Sequence, residues 1–453
     1  MSPLRTSLAA GAARTAGGLS RLAGRGGTSL PGKVLLRLDP HAIGRLGARL
    51  PQGSLVISAT NGKTTTAAMV AAILEGRGEH LVHNRAGANM AGGIAATLLG
   101  ATGDRGLFEV DEFWLDGVVA ELRPRALLLS NLFRDQLDRY GELETIAARW
   151  EAIAQAGAAE RLVLNADDPT VADLGRDRDD VVYFGVEDDA VALPALQHAS
   201  DATHCRRCGA PYVYDAHYLG HLGRYHCESC GARRPAPAIA ARDVRLEGIG
   251  GASFTLDLGD GAEHRVHLPL PGLYNVYNAL AAAALTRAIG VPADAITAGL
   301  HAVRAAFGRA ERVVVGEREL AILLVKNPAG ANEVLRTVAL EPGEHDVLAV
   351  LNDNIADGRD VSWVWDADFE VLGDRVRTAT CSGTRAAEMA LRLKYAGVPE
   401  DRIVVEDDLA RALDRAVAAG PAGSPLFALP TYTAMLALRE ELVDRGVAQE
   451  SFA

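Results

Sequence analysis

The chain has 453 residues, 49% of them hydrophobic and 23% charged, a balance that predicts a globular and not a disordered protein and suffices for about two or three domains with cores of their own. Its formal net charge of −12 argues against a general nucleic-acid binder. No uninterrupted apolar run approaches the roughly 20 residues of a membrane-spanning helix.

Residues 1–38 are basic, with Arg5, Arg14, Arg21, Arg25, Lys33 and Arg37 and no acid before Asp39. Arg14 interrupts the apolar centre that a signal peptide needs. The composition suits a transit peptide or, as the favoured reading, a basic lead-in that folds onto the domain or lies near an anionic membrane. From about residue 50, short β-branched runs ("SLVIS", "RALLLSN", "RLVLNAD") alternate with alanine-rich helical runs ("TTAAMVAAILEG", "ELETIAARWEAIAQAG"). That alternation predicts a parallel sheet with crossover helices.

Between the first such strand and helix lies "SATNGKTTT", Ser58 to Thr66. A glycine lets backbone approach a phosphate, and amides at the next helix start face the anion. Thr60, Asn61, Gly62, Lys63, Thr64 and Thr65 are therefore candidate ATP-binding residues. Lys63 can reach the terminal phosphates and Thr64 can place its hydroxyl on magnesium. Ile57 stands where the general phosphate-loop pattern has glycine, and a helix start capped by Asn or Thr is the competing reading. "GLFEVDE" ends a second apolar run in Glu109, Asp111 and Glu112. Acids at such a strand end hold magnesium, Glu109 foremost, or form a solvated turn.

Residues 201–236 break the alternation. Cys205-x2-Cys208 and Cys227-x2-Cys230 have the spacing of a structural zinc ribbon, with four thiolates filling a tetrahedral site. Gly209 and Gly231 permit the knuckle turns, and His204 and His226 read as neighbours and not ligands. Redox dithiols and a nucleic-acid-binding ribbon are the alternatives. After "NVYNALAAAALTRAIG", a hinge is expected at Ala305 to Val313, followed by a second alternating block containing "ELAILLV", "HDVLAVLN", "RTATCSG" and "RIVVED". Cys381 lacks the glycine-flanked turn of an exposed nucleophile and reads as a small buried residue.

Taken in order, "ATNGKTTT", "NRAGANMAGG" (84–93), "EVDE" (109–112), "SNLFRDQLDRYGE" (130–142), "LNADDP" (164–169), "LPGLYNVYNALAA" (270–282) and "GRAER" (308–312) resemble the Mur ligases, whose shifted loop pattern accounts for Ile57. The last third, with "LNDNIADGRDVSWVWDADFE" (351–370), "SGTRAAEMALRLKYAG" (382–397) and "LPTYTAMLALR" (429–439), looks like the MurT-type branch of that family. Where the family has D-H-L-D, this chain has Asp135, Gln136, Leu137 and Asp138, which puts a second magnesium in doubt.

The resemblance implies an α/β fold. A Mur-ligase-type phosphate-loop ATPase domain (1–306) would carry the inserted zinc ribbon and precede a smaller α/β C-terminal domain (307–453). It implies no separate N-terminal substrate domain. The implied reaction is ATP-dependent amidation of the D-glutamate α-carboxylate of lipid II through an acyl phosphate. Lys63 and Glu109 would be catalytic; Asn275, Asn278 and Arg309 would contact the nucleotide. Asn275 read alone could equally be a helix cap. ATP, Mg2+ and structural Zn2+ are the implied cofactors. Ammonia would come from a GatD-like class I glutamine amidotransferase subunit in a heterodimer. Asp353, Asp357 or Asp360 would orient that partner's histidine, unless they are a capped turn. The implied setting is cytoplasmic, at the inner face of the plasma membrane with peripheral membrane contact and no nucleic acid. The rival readings are a Mur-like ligase that adds an amino acid and a zinc-ribbon nucleic-acid-binding ATPase.

Overall fold

The computed structural model describes residues 9–15, 17, 29–84, 88–135, 143–198, 200–303 and 311–448. In chain order the first part contains α1 (Leu30–Leu38), α2 (Ala42–Gly47), β1 (Ser54–Ser58), α3 (Lys63–Glu75), β2 (Leu81–His83), α4 (Ala91–Gly100), β3 (Arg105–Glu109), α5 (Leu115–Leu122) and β4 (Ala126–Leu129). Next come α6 (Leu143–Gln155), β5 (Leu162–Asn165), α7 (Pro169–Asp173), β6 (Val181–Val186), β7 (Val213–Leu219), β8 (Leu222–His226), β9 (Ile239–Leu246), β10 (Ala252–Asp257), β11 (Glu263–Leu268), α8 (Leu273–Ala288) and α9 (Ala293–His301).

Nine strands form one sheet in the order β11-β10-β9-β6-β5-β4-β1-β3-β2. It is parallel from β2 to β9. Its β9–β10–β11 edge is antiparallel, because the short turns there leave no length for a crossover helix. Every residue of β1 is buried, as expected of a central strand covered on both faces. Leu55 and Ile57 join the cluster under α3, α8 and α9, while Val56 faces the opposite cluster with α4, α5 and α6. The alanines of α8 are buried almost all round, and their small side chains let that helix pack close to α3 and the sheet. The described part of the basic lead-in folds onto the second cluster, with Ala9, Ala13 and Leu35 buried there. No described helix is long and apolar enough to cross a membrane.

Residues between β6 and β9 leave the sheet. Because β6 pairs directly with β9, the insertion does not interrupt it, and β7 and β8 make a separate antiparallel hairpin. The second part contains β12 (Glu311–Val315), β13 (Arg318–Ile322), α10 (Pro328–Ala339), β14 (His345–Val350), β15 (Val376–Ser382), α11 (Ala386–Tyr395), β16 (Ile403–Val405), α12 (Leu409–Ala418), β17 (Leu426–Pro430) and α13 (Tyr432–Asp444). Its six strands run β12-β13-β17-β14-β15-β16, parallel except for the β12–β13 hairpin, with an apolar cluster on each face.

Candidate functional site

The loop between β1 and α3 is shaped by Gly62. Its φ is +87°, and a Cβ there would stand 2.0 Å from Asn278 Oδ1 on α8. Only glycine meets both demands. The loop is also tied to the end of β4. Thr60 Oγ1 donates to Phe133 O (3.2 Å) and accepts from its amide (3.0 Å). Asn131 accepts from the Asn61 amide (2.9 Å) and donates to Asn61 O (3.0 Å).

Lys63 Nζ lies 3.0 Å from Glu112 Oε2 and also donates to Ala59 O. Thr64 Oγ1 donates to Glu109 Oε2 at 2.8 Å. Glu109 is buried, and Asn84 holds its backbone on both sides. Its Oε1 accepts no hydrogen bond among the described residues, and His83 Nε2 is 3.7 Å away. A buried carboxylate oxygen beside a threonine hydroxyl and Asp111 is an all-oxygen donor set, which suits a hard divalent cation.

These residues line a cleft of about 380 Å³. Thr65, Asn275 and Asn278 also line it. Asn275 does not cap α8: Gly272 occupies that position, and Asn275 Nδ2 donates to Pro271 O (2.7 Å) while its oxygen accepts from Asn278 (3.0 Å). Arg309, Gln136, Leu137 and Asp138 lie outside the described residues. Arg312 pairs with Glu319 and is not among the cleft residues.

The opposite wall comes from the second sheet through residues the sequence reading passed over. Lys326 Nζ donates to Asp135 Oδ2 (2.5 Å) and to Thr60 O (3.3 Å). Asn327 caps α10 and exchanges amide hydrogen bonds with Asn61 (3.0 and 3.3 Å). The available signal was the Asn-Pro pair after the apolar run "AILLV", which marks a strand end turning into a helix start.

Asp353, Asp357 and Asp360 share a loop after β14 whose Ala356 reaches the cleft. Asp357 is buried and accepts from the Thr433 amide (2.7 Å) and hydroxyl (2.5 Å). Asp353 accepts from Thr384 Oγ1 (2.8 Å) and faces Arg385 (3.2 Å). Asp360 is exposed and accepts from the Ser362 amide (2.8 Å), and the bonds from Ser362 hold its carboxyl below the ordinary range. Trp365 and Tyr395 form an exposed edge-to-face pair nearby, with ring centroids 5.8 Å apart. Cys381 is fully buried at the end of β15, and burial pushes its thiol up to about 12, so it is no nucleophile.

Cys205, Cys208, Cys227 and Cys230 bring their sulfurs within 4.8 Å of one another, with Cys205–Cys230 at 3.6 Å and Cys208–Cys227 at 3.5 Å. Tetrahedral zinc with thiolates at about 2.3 Å sets sulfurs roughly 3.8 Å apart, so the cluster fits that ion. Gly209 and Gly231 take positive φ after each pair, at +76° and +73°. His204 contacts Thr203 and His226 contacts Asp215, outside the cluster. The hairpin tip docks on the first sheet. His221 is fully buried between the Phe133 ring (4.6 Å between centroids) and Asp168 (3.3 Å), and Leu219 and Leu222 line the cleft.

A phosphate loop on a largely parallel sheet, roofed by a second α/β unit that reaches across to it, is how ATP-dependent Mur-type ligases are built. Solved structures share the arrangement. A pseudomurein peptide ligase type C from Methanothermus fervidus superimposes with a TM-score of 0.69 over 88% of this chain and 80% of its own, at 24% identity. MurF from Thermotoga maritima, solved with ADP, gives 0.62 over 90% and 84%, at 14% identity. Residues 57–222 match the Mur ligase middle domain, and residues 324–435 match the MurT ligase C-terminal domain. The chain is 34% identical over 449 residues to the lipid II isoglutaminyl synthase (glutamine-hydrolyzing) subunit MurT of Streptococcus pneumoniae, covering 95% of each. It is also 34% identical to the subunit so named in Staphylococcus aureus, over 93% of this chain and 94% of that one. The chain belongs to the MurT family.

Proposed function

We propose that this chain is the ligase subunit of a lipid II isoglutaminyl synthase. It would amidate the α-carboxylate of D-glutamate in the lipid II stem peptide, giving D-isoglutamine for peptidoglycan synthesis. End-to-end likeness to MurT subunits supports the substrate. The observation that carries the chemistry is the cleft itself, where Lys63, Thr64 and Glu109 meet under residues of the second sheet.

A carboxylate is a poor electrophile, so an oxygen of the substrate first takes the γ-phosphoryl group, releasing ADP. Ammonia then adds to the acyl carbon and phosphate leaves with the carboxylate oxygen, the surplus proton passing to solvent or phosphate. Most of the task is aligning two anions and offsetting their charge. Lys63 does so at the terminal phosphates, and Thr60, Asn61, Gly62 and Thr65 supply loop contacts. Thr64 and Glu109 would hold magnesium, which supplies further charge neutralisation when bound. Asn275 and Asn278 would contact the nucleotide, and the family resemblance gives Arg309 the same role. We assign the boundary between the ATPase and C-terminal domains to residues 306/307. Zinc on Cys205, Cys208, Cys227 and Cys230 is structural.

Ammonium cannot attack an acyl phosphate, and the buried Cys381 offers no glutaminase nucleophile, which supports a separate GatD-like glutaminase partner. Asp353, Asp357 and Asp360 are the candidates to orient its histidine. A lipid-linked substrate supports a setting at the inner face of the plasma membrane.

The test follows the oxygen. Lipid II carrying 18O in the D-glutamate α-carboxylate, incubated with ATP, magnesium and ammonia, should deliver one label into inorganic phosphate per amide formed. Amide formation with unlabelled phosphate would overturn the acyl phosphate.

A further inference from the structure

Glu333 is a buried charge with no part in the chemistry above. It lies on α10, is 1% exposed and lines the cleft. Neither carboxylate oxygen has a hydrogen-bond partner among the described residues. Arg336 stands 3.7 Å from Oε1 and gives its own hydrogen bonds to Tyr218 O (3.0 Å) and Val191 O (2.7 Å). Burial pushes the Glu333 carboxyl upward, opposed by Arg336, and the Leu273 amide at the start of α8 faces it. Arg336 offsets the charge, but the carboxylate oxygens keep hydrogen-bond acceptor capacity that a ligand donor can use.

The surroundings narrow that ligand. Leu219 and Leu222 from the hairpin tip, with Leu270 and Val334, give the same cleft an apolar side. Arg336 ties α10 to Tyr218, the neighbour of Leu219, so hairpin and helix form one wall. An apolar slot with one strong acceptor suits a flat heteroaromatic ring that carries an amino group.

We propose that Glu333 reads the nucleotide base: its carboxylate accepts from the exocyclic amino group of adenine, with Leu219 and Leu222 against the ring. The ribbon hairpin and α10 would then select ATP over nucleotides with a 6-keto purine. Such a base would turn a carbonyl oxygen toward the carboxylate and leave both acceptors unpaired. The inference rests on the ATP-ligase reading.

Calorimetric titration of the full chain with the magnesium complexes of ATP, ITP, GTP and 2′-deoxyATP tests it, using wild type and Glu333→Gln. Wild type should bind ATP at least about tenfold tighter than ITP or GTP. Glu333→Gln should cut that preference by about tenfold, because a carboxamide donates to a keto oxygen as well as accepting from an amine. Thermal melting without nucleotide checks that the variant is folded, since it loses the ion pair with Arg336. If the variant misfolds, the wild-type ATP-to-ITP ratio still decides. ITP binding as tightly as ATP overturns the proposal, as does an unchanged ATP-to-GTP ratio in Glu333→Gln. Discrimination against 2′-deoxyATP that only the variant loses would move Glu333 to the ribose and equally overturn the base assignment. Wild type binding none of the four would instead remove the ATP-ligase reading itself.

Discussion

Gly62 joins two constraints at one Cα: a left-handed φ and the Asn278 amide against its missing side chain. Gly62→Ala must either shift α8 or abandon the loop geometry. Backbone strain at such a residue costs about 1–3 kcal/mol. The expected outcome is at least about tenfold weaker MgATP binding, read by calorimetry, in a protein that melts lower. Unchanged affinity would mean that the loop amides do not hold the phosphates. Cys381 shows the opposite economy. Its side chain fills core beneath β15, and its unreactive thiol follows from that burial. Glu109 is positioned with acceptor capacity to spare, because Asn84 fixes its backbone while one carboxylate oxygen accepts no hydrogen bond among the described residues.

Among the elements, the strand–loop–helix unit of β1 and α3 was legible from sequence because all its cues are local: a buried β-branched run, a glycine, then threonines opening an alanine-rich helix. Glu109 was legible for the same reason, standing where an apolar run stops. Asn131, Lys326, Asn327 and Glu333 were not. Lys326 meets Asp135 and Asn327 meets Asn61 across a large separation in sequence, and no local pattern reports such a pairing. The hairpin divides the same way. Cysteine spacing announced the knuckles, but nothing in it could say that Leu219 and Leu222 end at the cleft. The zinc proposed for the four cysteines would hold this hairpin at the cleft, and its loss should be visible in stability. Cys208→Ser, or exhaustive chelation, should lower zinc from one per chain and drop the melting temperature by more than about 5 °C. Metal analysis and thermal melting read this directly. Zinc-free protein that melts like the purified chain would exclude a structural ion.

At the scale of the molecule, two sheets meet over one cleft, and polar contacts join them beside the phosphate loop. Lys326 bridges to Asp135 and Thr60, Asn327 pairs with Asn61, and Arg134 reaches Asp366 at 3.2 Å. Polar contacts of this kind form and break more readily than a packed apolar seam, which suits the proposed entry of a nucleotide and a lipid-linked peptide. The loop bearing Asp353, Asp357 and Asp360 touches the cleft through Ala356 and carries exposed Ile355 on the same turn, so it connects the reaction centre with the outer surface. The proposed glutaminase, docked at that face, would release ammonia on the side of the loop that borders the cleft. The most direct measurement is mass spectrometry of lipid II after incubation with the purified chain, ATP, magnesium and ammonium chloride at mildly alkaline pH. The expected result is conversion of one carboxylate to an amide, abolished by Lys63→Ala, and supported at neutral pH by glutamine once a glutaminase subunit is added. ATP turnover with lipid II unchanged under both conditions would contradict the assignment.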